Sequence, residues 1–323
     1  MHRRRFAGLV LLGIAVAGLF ACSPPRGTSS GPELYGAGLF STGAWDFFLA
    51  FSPDEQRALF CRANDDFSAY QIYETQRDAA GHWRAPTTPL FATGPSNADP
   101  HIAPDGRTVF FVSNRPVPGE GGPQGTYDIW YATLQPDGEW GEAHHLAPPV
   151  NAPGVDEFSP SVAANGDLYF GSERPGGRGG FDLWVSRRVD GVYQTPENLG
   201  DSINTAGNEV EPWIAPDQSY VIFSGKARAD SVGRYDLYVT RRVNGVWQPP
   251  ERLGHGVNTA AFDFNESVSP DGRWLYFSST RPLAGPLGER FDVPPDDHNI
   301  TGIGNGTGDM YRIAMRELGL GTP

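Results

Sequence analysis

The feature that most constrains this chain is a phrase that returns five times. Near the C-terminus it reads Ser269-Pro270-Asp271-Gly272-Arg273-Trp274-Leu275-Tyr276-Phe277, a Pro-Asp-Gly turn feeding an aromatic apolar run. It recurs as Ala215-Pro216-Asp217 before Val221-Ile222-Phe223, and as Ala164-Asn165-Gly166 before Leu168-Tyr169-Phe170. Two earlier copies are Pro104-Asp105-Gly106 before Val109-Phe110-Phe111, and Pro53-Asp54 before Ala58-Leu59-Phe60. The turn positions 53, 104, 164, 216 and 270 lie 51, 60, 52 and 54 residues apart. A near-constant period of this length defines a repeat architecture.

Each unit continues in the same way. Ser-x-Arg-Pro follows the second strand at Ser113, Ser172 and Ser279, and a third strand follows at Tyr127-Asp128-Ile129-Trp130, Phe181-Asp182-Leu183-Trp184 and Tyr235-Asp236-Leu237-Tyr238. Asp137-Gly138, Asp190-Gly191 and Asn244-Gly245 then specify tight hairpins into a fourth strand that starts at Trp140, Tyr193 or Trp247. The later units end in Asn198-Leu199-Gly200 or Arg252-Leu253-Gly254, followed by Ile203-Asn204-Thr205 or Val257-Asn258-Thr259. Each unit is a four-stranded antiparallel meander that cannot cover its own apolar faces. Radial stacking buries them, so the expected fold is all-β, a β-propeller; solenoid coils are about half this length or less. With 41 Gly and 29 Pro in 323 residues, the composition suits many turns rather than long helices.

The fifth unit runs out after its third strand, and Glu33 to Gly43 offers the missing one. An N-terminal strand completing the last blade gives five blades; six would need a degenerate blade hidden in the pattern.

The repeated phrases, Ser/Ala-Pro-Asp-Gly, Ser-x-Arg-Pro-Gly-Gly, Phe/Tyr-Asp-Leu-Trp/Tyr, Asn-Leu-Gly and Ile-Asn-Thr, resemble those of WD-repeat-like propellers of exported bacterial proteins. These include TolB-like propellers and propellers fused to OmpA-like domains. The likeness runs from about residue 33 to residue 316. It implies a fold rather than an activity, because propellers host many functions.

The N-terminus differs in kind. Met1 to Arg5 is basic and Phe6 to Ala21 is uncharged, shorter than the about 20 apolar residues a spanning helix needs. Leu19-Phe20-Ala21-Cys22 resembles a bacterial lipobox, which implies cleavage after Ala21 and lipidation, such as palmitate, at Cys22. The expected organisation is a signal peptide over 1–21, a flexible tether over 22–32 and a propeller over 33–323. Ser23 resembles the residue that sorts such lipoproteins to the outer membrane, facing the periplasm, with the lipid as the only membrane contact. Cys61 is then without a disulfide partner and is expected as a buried small hydrophobe. The formal charge of −13 (25 − 38) becomes −16 (22 − 38) once Arg3, Arg4 and Arg5 are removed, and no basic stripe exists. Nucleic acid is therefore excluded as a partner.

Aligned on the turn, three positions of the first strand alternate by two and are expected to share the channel face. Seven residues before the turn stand Asp46, Asn97, Glu157, Glu209 and Asp263; five before stand Phe48, Asp99, Ser159, Glu211 and Asn265; three before stand Ala50, His101, Ser161, Trp213 and Ser267. Glu266 has the other parity. The arginines of Ser-x-Arg-Pro read as partners of neighbouring carboxylates, tying blades together. Lys226 and Arg228 fall out of step in the fourth unit, so Glu209 and Glu211 are the carboxylates expected to lack a partner. Clustered carboxylates repel unless a cation or polar ligand offsets them, so a calcium or other cation at the channel mouth is one expectation. The same mouth is expected to carry the insertion from Leu283 to Gly308, with Asp292, Asp296, Asp297, His298 and Asn299.

Other chemistry finds little support. Asp46, Asp99 and Glu157 fall on successive blades, as a glycosidase would need, but acidic first strands recur in every unit. Gly27 to Gly31 matches G-x-S-x-G without a strand-to-helix elbow, and the histidines lack metal-ligand spacing. Asp128, Asp182 and Asp236 read as repeated structural acceptors. The function expected is a non-enzymatic envelope module or scaffold that binds a protein, peptide or glycan, with a glycan-active enzyme as the alternative.

Overall fold

The computed structural model describes residues 31–117, 119, 125–283 and 302–320. The chain is a five-bladed β-propeller. Its innermost strands are Trp45–Phe51, Asn97–Ile102, Glu157–Val162, Asn208–Ile214 and Asp263–Val268 in blades one to five. Each touches the innermost strand of the next blade, and the fifth touches the first, so the ring is closed. The second strands, Arg57–Ala63, Thr108–Ser113, Leu168–Ser172, Tyr220–Lys226 and Trp274–Ser279, are apolar on both faces because each blade is sandwiched between two others. Phe60, Phe111, Phe170, Phe223 and Phe277, one per blade, are buried.

Blade five has the order Glu33–Leu34, Asp309–Ala314, Trp274–Ser279, Asp263–Val268 from rim to axis. Glu33 pairs with Arg312 and Leu34 with Tyr311, so the N-terminal strand closes the ring as the sequence predicts. The chain then turns at Gly36, whose carbonyl accepts from the N–H groups of Leu39, Phe40 and Ser41. Gly36 has φ of 69°, and a Cβ there would lie 2.6 Å from the Phe40 ring. Phe40 is thereby driven between blades five and one, against Tyr35, Phe60 and Trp83.

The fourth strands differ from expectation. They are short outer pieces, His144–His145, Glu197–Asn198 and Glu251–Arg252, and blade one has isolated bridges instead, Glu74 to Thr87 and Arg77 to Trp83. Tyr193 and Trp247 belong to separate hairpin extensions, and Pro196 and Pro250 stand between these and the outer pieces. Proline has no N–H to give a ladder, so pairing stops there. The asparagine of the Ile/Val-Asn-Thr phrase, and in blade two that of Val150-Asn151-Ala152, supplies what is missing. Asn151, Asn204 and Asn258 each accept from the N–H and donate to the carbonyl of one third-strand residue, Ile129, Leu183 and Leu237. A side-chain amide thus continues the sheet where the backbone leaves it.

Every innermost strand carries an irregularity at the same place. Pairing with the second strand breaks after Phe47, Ala98, Phe158, Val210 and Phe264. The next residues, Phe48, Asp99, Ser159, Glu211 and Asn265, all have left-handed backbones, with φ of 50°, 55°, 54°, 59° and 54°. A bulge of this kind bends the strand and re-aims its side chains.

Candidate functional site

The five bulges divide the predicted channel face in two. Asp46, Glu157, Glu209 and Asp263 do not line the axial cavities; each is fully buried against an arginine of its own blade. Arg62 donates to Asp46 at 2.7 Å, Arg174 to Glu157 at 2.8 Å, Arg228 to Glu209 at 2.7 Å and Arg281 to Asp263 at 2.7 Å, while Arg115 bonds Asn97 in blade two. The same arginines also donate to carbonyls of the incoming linker, at Leu39, Phe91, Val150, Ile203 and Val257. Each guanidinium lies over two rings of its blade, as Arg174 lies over Phe170 and Trp184. Thr42, Thr205 and Thr259 cap three of the carboxylates with backbone N–H and hydroxyl. This ring ties each blade to the linker from its neighbour. Desolvation still pushes the Glu157 carboxyl up to about 7, against the pull of Arg174.

The expectation that Glu209 lacks a partner is corrected here. Ala227 adopts a left-handed backbone, φ 61°, which absorbs the extra residue of blade four, and Gly225 leaves room for the Arg228 side chain. Arg228 therefore reaches Glu209 despite its shifted position.

The middle ring is the waist of the channel. Asp99, Ser159, Glu211 and Phe48 line both axial cavities. Because the bulge turns backbone N–H groups toward the axis, each acid is held by the next blade. The Asp99 carboxylate accepts from Ser159 N at 2.9 Å and Ser159 Oγ at 3.0 Å, and Glu211 accepts from Asn265 N at 2.8 Å. The bulge also brings Glu266 into line with the axis, contrary to its parity. Ser224 Oγ donates to its Oε2 at 2.9 Å, and Oε1 has no hydrogen-bond partner. Burial, reinforced by the Glu211 charge, raises Asp99 to about 7 and Glu266 well above its ordinary range; burial also raises Glu211. His101 accepts from Val162 N at 3.0 Å, and burial lowers it to about 4, so it is neutral.

On the side of the Pro-Asp-Gly turns lies a cavity of about 290 Å³, lined by His101, Ser161, Trp213, Glu266 and Ser267 among others. On the other side the channel opens into a cup of about 380 Å³ whose wall is aromatic. Trp45, Phe67, Tyr70, Phe158, Phe181, Tyr235, Phe262 and Phe264 line it, over a floor of Asp99, Ser159, Glu211 and Asn265. The rings form two arcs. One runs Trp45, Phe67, Tyr70, Tyr127, Phe158, Phe181 with centroid separations of 4.4, 6.2, 6.1, 5.2 and 5.7 Å; the other joins Tyr235, Phe262 and Phe264 at 5.8 Å each. The Leu283 to Gly308 insertion returns at this rim, where Gly308 O accepts from Asp46 N, but residues 284–301, with the acidic and histidine positions named above, lie outside those described.

The sequence reading missed this wall. Its signal is present in the repeat: Tyr127, Phe181 and Tyr235 are the aromatics before the structural Asp, and Phe47, Phe158 and Phe264 stand six residues before the turn. Asp128, Asp182 and Asp236 are acceptors as read, from His145, from Arg178 N and Asn198, and from Val232 N. Cys61 is buried and free. Among the described residues no group of three or more His, Cys, Asp or Glu is placed to hold a metal ion, and no helix is long and apolar enough to cross a membrane. Residues 1–30, with Cys22, lie outside those described.

No family model matches the sequence, and no curated protein matches it. Solved structures do match. One is TolB from Acinetobacter baumannii, with a TM-score of 0.45 at 12% identity over 83% of this chain and 54% of that one. The match thus spans about half the length of that TolB chain. Another is a glycoside hydrolase, TM-score 0.52 at 10% identity over 88% and 91%. A third is an α-L-arabinofuranosidase from Lactobacillus brevis, TM-score 0.43 at 10% identity over 87% and 92%. At such identity the likeness is one of fold: the chain shares the β-propeller architecture of these proteins.

Proposed function

We propose that this protein is a non-enzymatic binding module of the bacterial cell envelope, anchored through a lipid on Cys22 in the outer membrane and facing the periplasm. It takes hold of a partner at the aromatic cup. The observation that carries this reading is the wall of half-exposed rings over a carboxylate floor. Half-buried aromatics supply large contact area at little entropic cost, and a contiguous exposed patch of them marks an interaction surface. Of the three carboxylates a glycosidase reading would use, only Asp99 lines the axial cavities, whereas Asp46 and Glu157 are fully buried on arginines, which supports binding over hydrolysis. A peptide segment of an envelope protein is the partner this chemistry suits best, ahead of a glycan.

The test is affinity capture from envelope extracts with the wild-type protein and with Phe67→Ala and Phe181→Ala. Phe67 is 37% exposed, so its removal leaves the core intact. A partner retained by the wild type and lost by both variants is the expected result; equal recovery by all three would remove the cup from consideration.

A further inference from the structure

Two rings of buried acid occur in this propeller, and they are neutralised differently. In the outer ring every carboxylate faces an arginine. At the waist, Asp99, Glu211 and Glu266 face backbone N–H groups and serine hydroxyls, and among the described residues no lysine or arginine lines either axial cavity. Lys226 and Arg234 lie over the rings of Tyr235 and Phe262 and do not line the cup. Among the described residues the one basic side chain that lines the axial cavities, His101, has its Nε2 occupied as an acceptor.

A second observation also concerns missing donors. Asn265, 1% exposed, lines the cup, and its Oδ1 has no hydrogen-bond partner. Buried acceptors are normally paired, so an orphan oxygen beside two carboxylates marks a place short of N–H groups and of positive charge. The walls fit the same ligand. Faces of aromatic rings attract ammonium and guanidinium groups, and the alkyl stems of Lys and Arg pack on apolar surface while the head stays polar.

Resting on the binding role proposed above, we infer that the cup receives a lysine or arginine side chain from an extended peptide segment of the partner. The stem lies between the rings of the wall, and the head reaches Asp99, Glu211 and Asn265 Oδ1.

The experiment uses the mature chain and four capped pentapeptides, Ac-GGRGG-NH2, Ac-GGKGG-NH2 and their citrulline and acetyl-lysine counterparts, titrated by calorimetry and by tryptophan fluorescence. The two cationic peptides are expected to bind at least tenfold more tightly than their neutral counterparts. Asp99→Asn with Glu211→Gln is expected to remove that preference. Phe264→Ala, which leaves every charge in place, is expected to weaken the cationic peptides and so to separate the cup from general attraction to an acidic surface. Equal binding of charged and neutral peptides would overturn the inference while leaving a peptide site at the cup. Binding unchanged in both Phe264→Ala and the double variant would place the peptides elsewhere and overturn it too. If none of the four peptides binds, the inference fails, and capture by the wild type but not by Phe67→Ala decides whether the cup still holds a partner of another kind. Should the double variant not fold, the comparison of charged with neutral peptides on the wild type still decides.

Discussion

At the residue scale, Asp99 is the most telling group. It is 6% exposed, and burial together with the Glu211 charge lifts its carboxyl from 3.8 to about 7. Tyr70, Tyr127 and Cys61 all feel its charge. The native state therefore holds a proton that the unfolded chain gives up near pH 4. The associated stability is complete below the unfolded pKa and is lost as pH rises through about 7. Thermal melting is expected to fall between pH 5 and pH 8, and Asp99→Asn, which cannot ionise, to flatten that fall. A shift of this size corresponds to at most about 4 kcal/mol. Parallel melting curves for the two proteins across this range would show that Asp99 does not hold the proton.

At the scale of elements, the strand bulges decide what faces the channel. A left-handed residue costs on the order of 1–3 kcal/mol unless it is glycine or a residue that tolerates the region. At Ser159, φ 54°, the usual strand preference is therefore expected to reverse: Ser159→Gly should be more stable than Ser159→Val by about 1–3 kcal/mol in chemical denaturation, although both lose the hydroxyl bond to Asp99. Valine above glycine would mean that the bulge relaxes. The same bulge explains what could and could not be read in advance. Turn chemistry at Pro270-Asp271-Gly272 and apolar runs such as Val109 to Val112 follow local rules, so blades, their number and the closing strand at Glu33 were legible. The arginine ties were legible as well, because Ser-x-Arg-Pro keeps one spacing in three blades. Which side chains share the axis was not. Strict alternation put Asp46 and Glu157 in the channel and left Glu266 out, and one left-handed residue per strand inverts that assignment. Its signal is a proline rather than a parity: Pro100, Pro160 and Pro212 directly follow the left-handed residue in blades two, three and four, and a proline inside a strand marks an edge or a bulge, which a reader counting by two passes over.

At the scale of the whole molecule, stability rests on closing a ring between distant ends of the chain. Tyr35, Leu39 and Phe40 fill the seam between blades five and one, with Phe51, Trp83 and Tyr276 around them. Phe40→Ala is expected to cost about 3–5 kcal/mol, the range for emptying a buried aromatic site. Because the seam joins residues more than 200 positions apart, such as Ser267 and Leu49, the loss should appear as earlier and less cooperative unfolding in calorimetry. A variant that melts like the wild type would show that four seams suffice.

The strand Glu33–Leu34 lies at the outer edge of blade five, farthest from the axis. Gly31 and Pro32, which lead into it, therefore stand at the circumference of the disc. On the anchoring proposed above, the propeller is attached at its rim and not at either mouth of its channel, so neither opening is taken up by the attachment.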